Sequence, residues 1–331
     1  MKQYNSPLAV QQADPYIIKR NGKYYFVATH PEYDRIELRE ADCINDITNA
    51  RRKTIWTCHK QGEMCHPIWA PELHYIMGKW VIYFTAGEEG KRVCLRPYAL
   101  ICDSEDPMTG SWTEAGKLKA SEDDPYSFRD FAIDMTVFEN KGKWYLIWAQ
   151  KSGKQFDVSE LYMAELETPT KLKSARVTLS TPDYDWERRE LWINEGPSVM
   201  KHGGKIYVSY SASTTGAHYC MGLLSCSEND DVMDPNCWSK RNKPVLQTVP
   251  ELGVYGPGHN CFVEGDEGEQ LCVLHFRNYR DIKGDPLDDH NRHAHVIKVE
   301  FDEKDEPVFA FRKEELYNVP FENEVQAGLN D

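Results

Sequence analysis

The stretch Glu195-Gly-Pro-Ser-Val-Met-Lys-His-Gly-Gly-Lys-Ile-Tyr-Val-Ser-Tyr, residues 195–210, contains a short strand pattern, a glycine-lysine turn and an aromatic strand. Segments with the same order begin near residues 14, 72, 134 and 259, each on an acidic residue or a histidine. Glycines in the turns supply the positive φ angles that tight hairpins require. Two weaker strands fit after each hairpin, which indicates five repeats of four antiparallel strands.

The repeat predicts an all-β fold, a five-bladed β-propeller with blades of roughly 60 residues each. Length alone would suggest two domains for 331 residues. Because the repeats fill nearly the whole chain, we expect one domain over residues 1–331. The long period leaves room for polar loops on the propeller faces. We predict five such loops: His30–Asp42, Glu88–Pro97, Ala120–Arg129, Lys151–Glu160 and Arg277–His290.

Composition excludes several classes of partner and compartment. The net charge of −14 disfavours nucleic acid and anionic membranes, and no apolar run reaches membrane-spanning length. No two of the ten cysteines have the Cys-x-x-Cys spacing of zinc or redox motifs. The first ten residues lack an apolar core of signal-peptide length. We therefore expect a cytoplasmic, reduced protein, or a secreted one if a signal peptide has been removed.

The residues that open the five segments are the candidate site. In a propeller the first strand of each blade lines the central channel, so these residues are expected to converge at one mouth. Clustered carboxylates repel one another and raise the pKa of at least one member. One acid can then stay protonated while its partner stays ionised, as glycoside hydrolysis requires. A turn or capping role would explain any one of them alone. The five are Asp14, Glu72, Asp134, Glu195 and His259.

The flanking motifs resemble glycoside hydrolase family 43, the five-bladed propeller hydrolases that act on arabinans and xylans. Each motif is short, but all five occur in the family's order between about residues 10 and 312. They are Gln12-Ala-Asp-Pro-Tyr16, Trp69-Ala-Pro-Glu-Leu73, Ile133-Asp-Met135, Asn194-Glu-Gly-Pro197 and Gly256-Pro-Gly-His259. Two further stretches, Tyr210-Ser-Ala-Ser213 and Asn291-Arg-His293, make the chain most similar to the α-L-arabinofuranosidase branches, with the exo-acting α-1,5 branch as first choice.

The resemblance implies roles for three carboxylates. Asp14 matches the general base that activates water, and Glu195 matches the general acid that protonates the leaving oxygen. Asp134 matches the third carboxylate, which orients the acid and raises its pKa. The family inverts configuration, so we expect the base and acid carboxyl groups to lie roughly 6.5–9.5 Å apart.

Four more residues are predicted to bind substrate. Trp69 and, less strongly, Phe131 could stack on a sugar face, because aromatic rings pack against apolar surfaces. Arg292 matches an arginine near the sugar pocket, and Glu72 is expected to form hydrogen bonds there or to play a structural role. Packing between blades is the alternative for Trp69, and a surface strand position is the alternative for Arg292.

His259 is the predicted metal contact. The resemblance implies a channel histidine that touches a bound ion, commonly calcium, through water. Calcium prefers oxygen ligands, so a lone histidine favours a hydrated structural ion and chemistry that requires no cofactor. The alternative is a channel histidine that only forms hydrogen bonds.

The resemblance implies an inverting hydrolase that releases terminal L-arabinofuranose from arabinan or arabino-oligosaccharides. Its partner would be an arabinose-containing oligosaccharide or polysaccharide, with no nucleic acid and no membrane. Three alternatives remain open at this stage: a β-D-xylosidase of the same family, a retaining enzyme, and a non-catalytic propeller that binds carbohydrate.

Overall fold

The structure, a computed structural model, describes residues 2–152 and 158–316. Within those ranges the regular structure consists of β-strands and short 3-10 helices, with no α-helix. No helix in the described part of the chain is long and apolar enough to cross a membrane.

The first two blades are four-stranded antiparallel sheets in sequence order. Blade 1 comprises β1 (Ala13–Arg20), β2 (Lys23–Thr29), β3 (Arg35–Ala41) and β4 (Arg52–Thr57). Blade 2 comprises β5 (Glu63–Ile76), β6 (Lys79–Glu88), β7 (Lys91–Cys102) and β8 (Thr113–Lys117).

The next three blades repeat this order, and blades 3 and 4 are joined into one larger sheet by a short parallel pairing of β11 with β14. Blade 3 comprises β9 (Ala132–Asn140), β10 (Lys143–Lys151), β11 (Val158–Thr168), β12 (Lys171–Leu172) and β13 (Val177–Ser180). Blade 4 comprises β14 (Trp192–His202), β15 (Lys205–Ala212), β16 (Cys220–Ser227) and β17 (Ser239–Lys240). Blade 5 comprises β18 (Tyr255–Glu264), β19 (Gln270–Arg277), β20 (His293–Phe301) and β21 (Pro307–Phe309).

The five innermost strands form a closed ring. β1 contacts β5, β5 contacts β9, β9 contacts β14, β14 contacts β18, and β18 contacts β1. The N-terminal segment supports the closure, since the backbone N–H of Leu8 donates to the Ala294 carbonyl at 2.8 Å and that of Ala294 donates to Ala9 at 2.9 Å. The predicted five-bladed β-propeller is confirmed.

Apolar side chains fill the spaces between blades. Successive residues of a strand point to opposite faces, and both faces of an inner strand are covered here. On β10, Leu146 and Trp148 pack toward blade 2, whereas Ile147 and Ala149 pack toward blade 4. This two-sided burial explains why the second strand of each repeat is a continuous apolar and aromatic run.

Three of the predicted loops are wrong in part. β3 occupies most of the predicted loop His30–Asp42, and β7 begins inside Glu88–Pro97. On β3 the buried residues Ile36 and Leu38 lie among polar residues, so this partly buried strand resembles a loop in composition. β11 begins at Val158, inside the predicted loop Lys151–Glu160, of which residues 153–157 lie outside the described residues.

Every innermost strand carries a bulge at the same place, and the bulges define the site. Pairing with the second strand shifts register there, and one residue adopts a positive φ angle between 44° and 58°. A bulge bends the strand and re-aims a side chain, which is a common device beside active sites. The five bulge positions are Asp14, Ala70, Asp134, Gly196 and His259.

The positions of the bulges show that the first residues of the five predicted segments are not all equivalent. Glu72 lies two residues beyond the bulge position of blade 2, and Glu195 lies one residue before that of blade 4. Of the five predicted residues, only Asp14, Asp134 and His259 stand at the bulge position of their blade. The five residues are therefore near one another without sharing one structural role.

Polar side chains of the preceding blade accept hydrogen bonds from the bulge N–H groups. This satisfies buried backbone donors that would otherwise be costly. Threonine, serine and histidine at the end of the second strand serve blades 2, 5 and 1, whereas a carboxylate serves blade 4. The bonds are Ala70 N to Thr29 Oγ1 (2.8 Å), His259 N to Ser211 Oγ (2.6 Å), Asp14 N to His275 Nδ1 (3.0 Å) and Gly196 N to Asp134 Oδ2 (2.9 Å).

Candidate active site

A cavity of about 1180 Å³ contains most of the predicted site residues. Bulges of three blades and the strands beside them bring these side chains to its wall from distant parts of the sequence. Seven of the eight predicted residues line it: Asp14, Trp69, Phe131, Asp134, Glu195, His259 and Arg292.

Asp14 is held as a carboxylate. Its Oδ1 lies 3.2 Å from His259 Nδ1 and 3.5 Å from Arg292 Nη1, and the Thr29 hydroxyl donates to Oδ2 at 2.5 Å. Burial alone would raise the pKa of Asp14. The cationic groups of His259 and Arg292, together with the Thr29 hydrogen bond, outweigh burial and hold that pKa well below its usual value. Asp14 is therefore ionised and able to accept a proton.

Glu195 is in the opposite condition. Burial, and then the negative charge of Asp134, raise the pKa of Glu195 to about 8. The Tyr219 hydroxyl donates to Glu195 Oε1 at 2.9 Å and opposes that rise only in part. Glu195 therefore carries a proton at neutral pH and can give it up, which is what a general acid requires.

Asp134 connects these two groups. Its Oδ2 accepts the N–H of Gly196, the residue after Glu195, so the carboxylate is tied to the backbone that carries the acid. Burial and the charge of Asp14 raise the pKa of Asp134 to about 6, although His259 and the Gly196 N–H act against them. Asp134 is thus ionised at neutral pH and keeps a negative charge beside Glu195.

A close contact favours glycine at position 196. The other four bulge positions adopt a similar φ with a side chain present, but an added Cβ at Gly196, where φ is +53°, would sit 3.0 Å from His259 Cγ. A side chain there would press on the His259 ring. The Glu-Gly pair of the Asn194–Pro197 motif therefore has a structural explanation.

His259 lies beside two carboxylates. Burial lowers the pKa of His259, but the carboxylates of Asp14 and Asp134, 3.2 and 4.0 Å from Nδ1, outweigh it and raise the pKa. Contact of His259 with an ion through water stays a prediction. Among the described residues, ligand atoms close enough to share an ion occur in a different group, outside the cavity lining. That group is His30, Glu32 and Asp34.

The predicted sugar-facing residues lie along the cavity wall. Trp69 packs edge-on against Tyr33, with ring centroids 6.1 Å apart. Arg292 donates from Nη2 to the Tyr33 hydroxyl at 3.4 Å, so its guanidinium is shared between Tyr33 and Asp14. Phe131 lies under the Lys151 ammonium, which is 4.9 Å from its ring centroid. Aromatic faces and a fixed guanidinium are suited to a sugar.

Glu72 is not among the residues that line this cavity, and its predicted contact with substrate stays a prediction. Its Oε2 lies 2.8 Å from His74 Nε2, and His74 Nδ1 lies 3.1 Å from the Tyr16 hydroxyl. The reason is register, because Glu72 follows the bulge at Ala70 by two residues. It forms a buried polar network with its neighbours, in agreement with the structural role also considered for it.

Several residues of the site were missed by sequence reasoning. Thr29, Ser211 and His275 end the second strands of blades 1, 4 and 5, so their equivalent positions were visible in the repeat. They were overlooked because their function is to bond backbone N–H groups of the next blade. Tyr219 lies before β16 in an irregular stretch, and no repeat signal marks it.

Comparisons with known proteins agree with this geometry. The family model for glycosyl hydrolases family 43 matches residues 4–307. An extracellular exo-α-(1→5)-L-arabinofuranosidase of Streptomyces avermitilis is 42% identical over 92% of this chain, and α-L-arabinofuranosidase 43 of Humicola insolens is 40% identical over 92%. The match covers 63% of the length of each of these two relatives.

Solved structures give the same result. The crystal structure of an α-L-arabinofuranosidase from Lactobacillus brevis has a TM-score of 0.88 and 43% sequence identity, with 93% of this chain and 96% of that chain covered. A thermostable family-43 glycoside hydrolase has a TM-score of 0.76 at 22% identity, which supports the fold alone. The chain belongs to the glycosyl hydrolases family 43.

Proposed function

We propose that this protein hydrolyses terminal α-L-arabinofuranosyl linkages, releasing L-arabinofuranose from the ends of arabinan or arabino-oligosaccharides by a one-step inverting displacement. One observation carries the proposal. Two carboxyl groups that line one cavity, Asp14 and Glu195, have pKa values driven in opposite directions by their surroundings. A base and an acid are thus ready together at neutral pH.

The chemistry follows from these two protonation states. Asp14 takes a proton from water as the water oxygen forms a bond to the anomeric carbon. Glu195 gives its proton to the glycosidic oxygen as the bond from that oxygen to the anomeric carbon breaks. The products are arabinofuranose of inverted configuration and the shortened chain, and both protons are accounted for.

Asp134 and Arg292 support the pair. Asp134 holds the Gly196 N–H and, through its charge, keeps Glu195 protonated. Arg292 holds Asp14 ionised and remains at the cavity wall, where its guanidinium can also meet sugar hydroxyl groups. Trp69 and Phe131 are proposed to pack against the sugar faces.

The preference for arabinofuranosides is drawn from the relatives. Those at 40–43% identity bear arabinofuranosidase names, and two from Streptomyces are named as exo-acting on α-(1→5) linkages. The match covers only 63% of the length of two of these relatives and 60% of the length of a third. For this reason the activity and the arabinose-containing substrate are proposals for this chain.

No step of the proposed reaction passes through a metal or another cofactor. A calcium ion in the channel would have to be held by water and by oxygen ligands, since His259 is engaged with Asp14. We expect an EDTA-treated, desalted enzyme to keep its kcat, measured against enzyme with added calcium. A loss of kcat that calcium restores would require a revised role for the ion.

Secretion is the location that we propose. The expectation of a cytoplasmic protein finds no support among the relatives, two of which are named extracellular. We also propose that residues 1–331 act as a single catalytic domain, which the continuous ring of blades supports.

The product profile tests this proposal. Incubation with linear α-1,5-arabino-oligosaccharides should release arabinose from the first turnover, together with oligosaccharides shortened by one unit at a time. The enzyme should also clearly prefer an aryl α-L-arabinofuranoside over an aryl β-D-xyloside. Glu195→Gln should lower kcat on the oligosaccharides by about 10²–10⁴-fold. Preference for the xyloside would favour the xylosidase alternative. If the parent enzyme shows no turnover, and Glu195→Gln binds carbohydrate as well as the parent does, a non-catalytic binding propeller would be favoured.

A further inference from the structure

The hydroxyl of Tyr219 lies directly behind the proposed proton donor. It donates to Glu195 Oε1 at 2.9 Å, from a side chain that is almost completely buried and absent from the cavity lining. Burial, and then the charge of Glu195, raise the pKa of Tyr219 well above its usual value, so it remains a donor throughout the working pH range.

The surroundings of Tyr219 keep its hydroxyl protonated. Hydrogen bonding to Ser211 acts to lower the pKa of Tyr219, but burial and the charge of Glu195 outweigh it. Ser211 Oγ also accepts the backbone N–H of His259 at 2.6 Å. The protonated phenol can therefore donate to Glu195 Oε1.

Glycines of the Gly256–Gly258 stretch make space for this tyrosine. A Cβ added at Gly258 would lie 2.4 Å from Tyr219 Cε1 and 2.8 Å from Ser211 Oγ. At Gly256, φ is +62° and a Cβ would lie 2.3 Å from the backbone oxygen of Gly216, in the loop before Tyr219. The motif before His259 thus has a steric purpose that its position in the sequence did not reveal.

The same tyrosine also contacts the base side of the site. Its ring lies parallel to that of His275, with 2° between planes and 5.8 Å between centroids. His275 Nδ1 in turn accepts the backbone N–H of Asp14 at 3.0 Å. Tyr219 and His275 therefore pack together between the residues that carry the acid and the base.

We propose that Tyr219 is a positioning residue for the general acid: by donating to Glu195 Oε1 it keeps the transferable proton on Oε2. This inference rests on the proposed hydrolysis. A carboxylic acid whose proton can occupy either oxygen presents the correct one only part of the time, and its orientation is less restricted. The hydrogen bond from Tyr219 fixes both the oxygen that carries the proton and the orientation of the carboxyl group, although Tyr219 does not touch the substrate.

The leaving-group dependence of Tyr219→Phe tests the proposal. An alkoxide leaving group needs protonation, whereas 2,4-dinitrophenolate does not. We expect kcat of Tyr219→Phe to fall by about tenfold or more on arabinobiose, within the range that general acids contribute, and by less than about threefold on the 2,4-dinitrophenyl arabinofuranoside. An equal loss on both substrates, or no loss on arabinobiose, would overturn the positioning role.

Two comparison variants separate this inference from other causes. Tyr83→Phe removes another buried hydroxyl, one that donates to the Pro169 carbonyl at 2.6 Å in a different part of the propeller, and should leave both rates unchanged. Glu195→Gln should show the same leaving-group dependence as Tyr219→Phe, but more strongly. If Glu195→Gln has no effect, the proposed hydrolysis itself fails. If only Glu195→Gln has the effect, hydrolysis stands and the role of Tyr219 is wrong.

The pH dependence of kcat/KM for Tyr219→Phe is a second test of the positioning role. The charged groups around Glu195 are Asp134, Asp14 and His259, which Tyr219→Phe leaves in place. The Tyr219 bond favours ionised Glu195, so its loss should raise the pKa of Glu195 and move the basic limb of kcat/KM to higher pH. A merely structural role would leave that limb where it is, and a shift to lower pH would contradict the proposal.

Discussion

At the scale of single residues, Asp14 and Glu195 differ because of the charges around them. Arg292 and His259 contact Asp14, whereas Glu195 has the carboxylate of Asp134 nearby. The motifs indicated three carboxylates that line the cavity, and their roles stay predictions. The repeat showed the equivalent positions of Thr29, Ser211 and His275 but not their hydrogen-bond partners, and no such pattern pointed to the contact of Tyr219 with Glu195, because these contacts depend on three-dimensional position.

Removal of the Asp134 charge should change the pH dependence in a defined direction. Asp134, with a pKa of about 6, is ionised near pH 8, and its charge there raises the pKa of Glu195. In Asp134→Asn the pKa of Glu195 should therefore fall, and the basic limb of the residual kcat/KM should move from about pH 8 to lower pH by about one unit or more.

A fluorogenic arabinofuranoside makes the residual rate of Asp134→Asn measurable. Asp130→Asn, which removes an exposed negative charge from the nearby loop, should leave the basic limb in place. A limb that stays near pH 8 in Asp134→Asn would show that this charge does not set the pKa of the acid.

At the scale of elements, the bulge in each innermost strand decides which side chains meet. Hairpins, turns and the approximate strand starts were predictable from apolar runs and glycines. The bulge register was not, because a positive φ angle is uncommon for every residue with a side chain, and the five bulge positions hold aspartate, alanine, glycine and histidine with no common residue type. Glu72 was consequently assigned to the wrong place, since one extra residue in a strand changes which side chains face the site.

Gly196→Ala tests whether the bulge at Gly196 matters for kcat as well as for stability. A left-handed alanine costs about 1–2 kcal/mol, and here its Cβ would also press on His259, in the residue whose N–H Asp134 holds. We expect that loss of stability in urea unfolding, together with a fall of about tenfold or more in kcat.

Gly204→Ala is the matched control. Its φ is +75°, and nothing lies within 4 Å of an added Cβ. It should lose a similar amount of stability and keep its kcat. Equal kcat values for the two variants would refute the functional role of the Gly196 bulge.

At the scale of the whole molecule, the closed ring gives the site its rigidity. Repeat counting predicted five blades because each copy carries the same hairpin pattern. It could not predict the pairing of β11 with β14 or the closure of Leu8 and Ala9 onto Ala294, since these contacts join segments with no local pattern in common.

Leu8→Ala tests how much the N-terminal closure contributes. Leu8 is fully buried between blades 1 and 5, so the substitution should lower the free energy of unfolding by about 2–5 kcal/mol. Val10→Ala, two residues away and 57% exposed, should change it by less than about 0.5 kcal/mol. Urea unfolding of both variants measures the difference, and similar values would mean that the segment does not close the ring.

The anomer formed first tests the central claim most directly. Proton NMR during the first minutes of hydrolysis of an α-L-arabinofuranoside, before the released sugar equilibrates, distinguishes the two anomers. If Asp14 activates water while Glu195 protonates the leaving oxygen, β-L-arabinofuranose should appear first. Initial appearance of the α anomer would indicate a covalent intermediate and carboxyl groups only about 5–5.5 Å apart, and would contradict the account.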